Sequence, residues 1–191
     1  MKFSSIKARI SNWDKSISKR ISEKSENKKR FAKLSAQSGN TLPWFLFSIV
    51  CFIFDKPINR VELLIQWSAM GATFLLVMFL KFTVRRKRPV DEISPDLVGK
   101  GDFFSFPSGH AGRMGCLSVI MVLFFPAIGW IFLIWLLFVG YGRIATGVHY
   151  FVDIIGGTII GGLIGSFFFI IRNGLYNLFL PFVTWVDSFL F

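Results

Sequence analysis

The sequence predicts an all-α, polytopic membrane bundle of five to six helices, preceded by an amphipathic N-terminal helix lying in the membrane interface. Three observations lead there. Of the 191 residues 53% are hydrophobic, 24 are Phe, and the mean hydropathy is +0.56. Charged islands separate apolar runs that approach the ~20 residues a helix needs to cross a bilayer. These runs lack the period-two alternation of lipid-exposed strands, so the spans are helical. At this length there is room for one membrane domain and no second folded one. Cys51 and Cys116 both lie inside apolar runs, which leaves no disulfide framework or zinc site.

The first 40 residues hold eleven Lys and Arg against Asp14, Glu23 and Glu26, within a chain of formal charge +11. Phe3, Ile6, Ile10, Trp13, Ile17 and Ile21 recur at steps of three and four, which lays them on one helical stripe beside a basic, Ser-rich face. Next to so apolar a body, that pattern predicts an in-plane helix on anionic lipid rather than a nucleic-acid contact. The plainer alternative is a solvated or coiled-coil helix. No apolar core follows the first basic residues, so the segment does not read as a signal peptide. Residues 1–33 are expected to serve attachment and not chemistry.

Residues 34–191 form the membrane domain. Pro43–Phe54 reaches spanning length only if Leu34–Leu42 joins it, and Leu63–Phe82 is a clear span. A polar, Pro-containing loop covers about Arg85–Phe106. The stretch 111–142 would make ~48 Å of helix, too long for one ~30 Å crossing. Pro126 and Gly129 punctuate it, which predicts two short helices turning there. That hairpin returns His110 and the Arg143/His149 region to one membrane face. Phe151–Ile171 is a further span, with Gly157, Gly161 and Gly165 at four-residue spacing as in close helix packing. A last, Pro-interrupted apolar segment covers Leu175–Phe191.

Three polar islands sit at predicted ends of apolar runs: Lys81 to Pro89, Phe106 to His110, and Arg143 to Asp153. Lys81 and Arg88 are two helical turns apart and can share a face, and converging cations suit a phosphate dianion. Arg85, Arg86 and Lys87 read instead as positive-inside anchors. Pro107-Ser108-Gly109 fits a helix start, with a Ser cap, a Gly that lets the backbone approach closely, and free N–H groups able to bind phosphate oxygens. His110 falls in that first turn. His149 and Asp153, four apart, are adjacent on a helix, so the carboxylate can fix one ring nitrogen and leave the other free as nucleophile or base. A structural His–Asp hydrogen bond is the alternative. Both histidines of the chain lie in these islands.

These residues resemble the type-2 phosphatidic acid phosphatase (PAP2) superfamily pattern of K-x6-RP, PSGH and SR-x5-H-x3-D. Lys81-x6-Arg88-Pro89 and Pro107-Ser108-Gly109-His110 match in full, and the third motif matches at Arg143, His149 and Asp153 with Gly142 in place of Ser. The flanks Lys81–Pro89 and Ser105–Arg113 look most like the polyisoprenoid diphosphate phosphatases. The resemblance implies hydrolysis of a lipid phosphate or polyisoprenyl (di)phosphate without metal or cofactor, through a phosphohistidine. His149 would be the nucleophile, Asp153 its orienting carboxylate and His110 the acid for the leaving group. Lys81, Arg88, Ser108, Gly109 and Arg143 would hold the phosphoryl oxygens.

Arg113, one turn beyond His110, has two readings. It snorkels or pairs with a carboxylate such as Asp102, or it contacts a second phosphate. If both early runs span, residues 1–40 and the three islands share a face, and the opposite loop carries only Asp55, Lys56, Arg60 and Glu62, with Arg172 further on. Positive-inside counting then places the site on the cytoplasmic side of the cell membrane. The competing functions are a non-catalytic lipid-phosphate binder, which needs neither histidine, and a transporter, whose polar groups belong at mid-membrane rather than at helix ends.

Overall fold

The computed structural model describes residues 3–54, 57–90, 97–98 and 102–190. Among these the chain forms eight α-helices and no strand: α1 (Phe3–Lys24), α2 (Lys29–Ser38), α3 (Thr41–Phe54), α4 (Pro57–Val84), α5 (Gly109–Phe124), α6 (Pro126–Ala145), α7 (Phe151–Ile170) and α8 (Arg172–Leu190). A 3-10 turn at Glu26–Lys28 joins α1 to α2. Helices α4 (from Asn59), α6 and α7 are each long and apolar enough to cross a membrane. The early run is not one straight span: the pair Glu26–Ser38 and Thr41–Phe54 qualifies only together and is bent by 49°. Gly39 and Asn40 form the joint, where the helical hydrogen-bond ladder is interrupted.

The predicted hairpin is present. Phe125 breaks the chain between α5 and α6, and Pro126 opens α6 at a position where a missing N–H costs nothing. A Cβ on Gly129 would run into the Met121 carbonyl, so only glycine lets α6 fold back this closely.

Helix α5 is the centre of the bundle, packed on α4, α6 and α7. Its tightest neighbour is α7. A side chain at Gly157 would meet the Ser108 carbonyl oxygen, one at Gly161 the Gly112 carbonyl, and one at Gly165 the Cys116 carbonyl. The four-residue glycine spacing is therefore a seam along which two backbones touch. It also carries function, since it sets the first turn of α5 against the first turn of α7. The Ser108 amide donates to the Asp153 carbonyl at 3.0 Å, tying the second island to the third.

Helix α8 does not return across the bundle. It starts beyond the far end of α7, yet Asp187 near its other end pairs with Arg60 in the first turns of α4, also at the far end. Between them Val183 packs on Val61 and Ile65. Arg60 further donates to the Phe52 and Ile53 carbonyls at 2.6 and 2.9 Å, closing the C-terminus of α3. Of the far-loop residues that entered the orientation count, Asp55 and Lys56 lie outside the described residues.

The N-terminal helices gather at the opposite end, around the polar islands. On α1, Ile6, Ile10 and Trp13 of the apolar stripe are exposed, whereas Asp14 and Ser18 on the neighbouring face, and Ser25 just after the helix, are buried against the bundle. The side chain of Phe3 lies outside the described residues. The divide expected between residues 33 and 34 falls inside α2, which packs along α6.

Candidate active site

Helix α4 delivers Lys81 at its last turn, and the following segment delivers Arg88. Both converge on Asp102. Lys81 Nζ donates to Asp102 Oδ1 and, at 2.9 Å, to the Phe104 carbonyl. Arg88 Nη2 lies 3.1 Å from Asp102 Oδ1 and donates to the Asp102 carbonyl at 2.9 Å. Arg143, buried at the end of α6, donates to the Leu97 carbonyl at 2.6 Å. The three predicted cations thus face one short segment, whose carboxylate and carbonyls accept from them. Arg88 Nε, Arg113 Nε and Arg143 Nε have no hydrogen-bond partner among the described residues. Three buried donors from three elements form a strongly anion-seeking centre.

The histidines stand on either side of this centre. His149 is 1% exposed, and its Nε2 lies 3.4 Å from Arg88 Nη1, which also donates to the Val148 carbonyl at 2.9 Å. Burial, followed by Arg143, Arg88, Lys81 and His110, holds its pKa well below the ordinary 6.5, so the ring is neutral and keeps a free lone pair at neutral pH. His149 Nδ1 faces Asp153 Oδ2 at 3.6 Å, an approach beyond hydrogen-bond length. Asp153 is bonded elsewhere: Oδ2 accepts from the Tyr150 amide at 2.8 Å, and Oδ1 from Arg86 Nη1 at 2.7 Å. His110 Nε2 pairs with Asn40 Oδ1 at 2.9 Å, across the bend between α2 and α3. Ser108 caps α5, its hydroxyl accepting from the Ala111 amide.

The residues singled out from sequence therefore come together, with three changes. Asp102, a candidate partner for Arg113, is bonded to Lys81 and Arg88 instead. Arg86 is no loose anchor: Arg85 and Lys87 beside it are exposed, but Arg86 reaches inward to two carboxylates, Asp14 and Asp153. Burial pulls its pKa down, and these two carboxylates more than reverse that, so the guanidinium stays charged. Gly142, where the motif has Ser, also has a cause. A Cβ there would collide with the Ala36 amide and the Ser35 hydroxyl of α2. The N-terminal packing that this chain adopts excludes any side chain at 142.

Asn40, Arg86 and Asp14 escaped sequence reasoning. The available signal for Asp14 was a lone carboxylate on the border of the polar face of a basic helix, which proximity alone could convert into a role.

An apolar cavity of about 1210 Å³ runs between α3, α4, α5 and α6. Lys81, Asp102, Gly109, His110 and Arg113 line its polar end, and Trp67, Phe74 and Phe132 are among the residues lining the rest. Arg88, 3.1 Å from Asp102 at that end and 3.4 Å from His149, links the two.

Comparison with known proteins gives a consistent picture. The PAP2 superfamily profile matches residues 62–176. A Lipid A 4'-phosphatase of Bacteroides thetaiotaomicron is 33% identical over 157 residues, covering 74% of this chain and 69% of that protein. The undecaprenyl-diphosphatase BcrC of Bacillus subtilis is 38% identical over 65 residues, 34% of either chain. Among solved structures, Aquifex aeolicus LpxE superposes with a TM-score of 0.67 at 23% identity, covering 81% of this chain and 93% of that one. The transmembrane PAP2-type phosphatidylglycerolphosphate phosphatase of Bacillus subtilis gives 0.68 at 23% identity, covering 87% of each, a likeness of fold.

Proposed function

The chain belongs to the PAP2 superfamily, and from that premise we propose that it is an integral membrane phosphatase acting on a lipid phosphate or polyisoprenyl (di)phosphate through a phosphohistidine at His149. One observation carries the reading: a buried, neutral His149 lies beside Arg88, and Arg88 pairs with Asp102 at the polar end of an apolar cavity that His110 also lines. A lipid tail fits the cavity, and its phosphate would exchange places with the Asp102 carboxylate on Lys81 and Arg88. Arg143, the Gly109 backbone and the Ser108-capped start of α5 add further positive potential.

In the first step a ring nitrogen of His149 attacks phosphorus, and the bond to the lipid oxygen breaks. His110 gives that oxygen its proton. In the second step His110 takes a proton from water, whose oxygen attacks the phosphohistidine and frees His149 and inorganic phosphate. Positive groups fixed around the phosphoryl oxygens are the main source of rate in such a reaction. They also repel a divalent cation, which supports a metal-independent route. Arg113 lines the cavity's polar end with an Nε unpartnered among the described residues, and it would hold a second phosphate.

The N-terminal helices dock at the site end of the bundle, and positive-inside counting of their basic residues supports a site at the cytoplasmic face of the cell membrane, with α1 against anionic lipid. The test is phosphate release in detergent with EDTA from polyisoprenyl diphosphate, polyisoprenyl phosphate, phosphatidic acid and phosphatidylglycerol phosphate. Release from at least one supports the reading. Release from none favours a lipid-phosphate binder, and release that requires a divalent ion contradicts the phosphohistidine route.

A further inference from the structure

Asp153, the carboxylate facing His149, is held through a chain of charges that begins on the N-terminal helix. Arg86 Nη1 donates to Asp153 Oδ1 at 2.7 Å, and Arg86 Nη2 donates to Asp14 Oδ2 at 2.6 Å. The guanidinium lies 4.1 Å from the centroid of the Tyr150 ring. Asp14 is 1% exposed, and its Oδ1 accepts from the Val152 amide at 2.9 Å. One turn on, Ser18 accepts from the Phe151 amide at 2.9 Å. Two side chains of α1 therefore cap the first turn of α7, the turn that carries Asp153.

The backbone before Arg86 is strained to the same end. Arg85, the residue after α4, has φ of 52°, a left-handed conformation that strains a non-glycine residue. That turn reverses the chain so that Arg86 faces α7 while Arg85 and Lys87 remain outside. Strain of this kind persists where surrounding contacts over-determine it.

We infer that Asp14 and Arg86 are positioning residues for His149, acting through Asp153, and that α1 is part of the catalytic machinery rather than an attachment device alone. The inference rests on the phosphohistidine reading. As nitrogen bonds to phosphorus the imidazole gains positive charge, and Asp153 stabilises it. Arg86 fixes that carboxylate but, left to itself, would neutralise it. Asp14 takes the other arm of the guanidinium and returns the cluster of two carboxylates and one cation to a net negative charge.

The two residues therefore have opposite electrostatic effects on His149, which a purely structural role would not produce. The groups facing His149 are Lys81 from α4, Arg88 from the following segment, His110 from α5, Arg143 from α6 and Asp153 from α7, with Arg86 and Asp14 behind it.

The experiment uses the full chain in detergent, as wild type, Asp14→Asn and Arg86→Gln. Turnover of p-nitrophenyl phosphate gives kcat, KM and the pH profile of kcat/KM, and an NMR titration follows the two imidazoles without needing turnover. Asp14→Asn should lower kcat by roughly 10- to 100-fold with KM within about twofold, as expected for a misplaced reacting group. Its His149 titration and acid limb should move to lower pH, and those of Arg86→Gln to higher pH. Asp14→Glu should restore part of the rate. Wild-type turnover with both variants titrating like wild type, or both shifting in one direction, overturns the inference. A wild type that releases no phosphate but shows the opposed titrations would refute the phosphohistidine reading and leave the charge network standing.

Discussion

Asp102 Oδ1 lies 3.1 Å from Arg88 Nη2 while accepting from Lys81, so one carboxylate occupies both leading cations of the proposed phosphate site. A phosphate bound by Lys81 and Arg88 would have to displace it. Asp102→Asn removes the competing charge and should strengthen inhibition by inorganic phosphate or vanadate about tenfold, equivalent to about 1.4 kcal/mol. Inhibition constants measured side by side decide this, and weaker inhibition in the variant would show that Asp102 instead organises the cations.

Gly142→Ser restores the motif's hydroxyl but drives its Cβ into Ala36 and Ser35. Overpacking of this sort costs about 1–3 kcal/mol, so the variant should unfold at lower temperature and gain no activity. Pairing it with Ser35→Gly should recover part of the lost Tm, because the Ser35 hydroxyl is one of the two clashing groups. Full stability of Gly142→Ser alone would mean that α2 does not press on α6 at this point.

Asn40 Oδ1 accepts from His110 Nε2 and fixes the ring. If His110 is the acid, its orientation matters most when the leaving oxygen is basic. Asn40→Ala should cost roughly tenfold in kcat on a lipid or alkyl phosphate and far less on p-nitrophenyl phosphate, whose phenolate leaves without a proton. Equal losses on both would detach Asn40 from acid catalysis.

What the sequence reveals and what it conceals divide along physical lines. Contacts local in sequence, or repeated in pattern, are legible. The turn at Pro126, the cap at Ser108 and the glycine seam of α7 are all written at fixed short spacings, and they are enough to place Lys81, Arg88, His110, Arg143 and His149 together. The inward turn of Arg86 is not, because four consecutive cations look alike until Arg85 adopts its left-handed conformation. Nor is the burial of Asp14, whose partners Arg86 and Val152 lie far along the chain. The bend at Gly39–Asn40 and the course of α8, set by Arg60 and Asp187, likewise depend on tertiary contacts that composition does not encode.

The proposed nucleophile is His149, and a labelling experiment tests that role most directly. The full-length protein is mixed with a 32P-labelled lipid phosphate in EDTA, quenched in alkali and resolved from substrate. A phosphohistidine at His149 should leave label on the wild-type protein that survives alkali, is lost in acid and maps to His149, with none on His149→Ala. Label that persists in His149→Ala, or turnover in that variant at the wild-type rate, would contradict it.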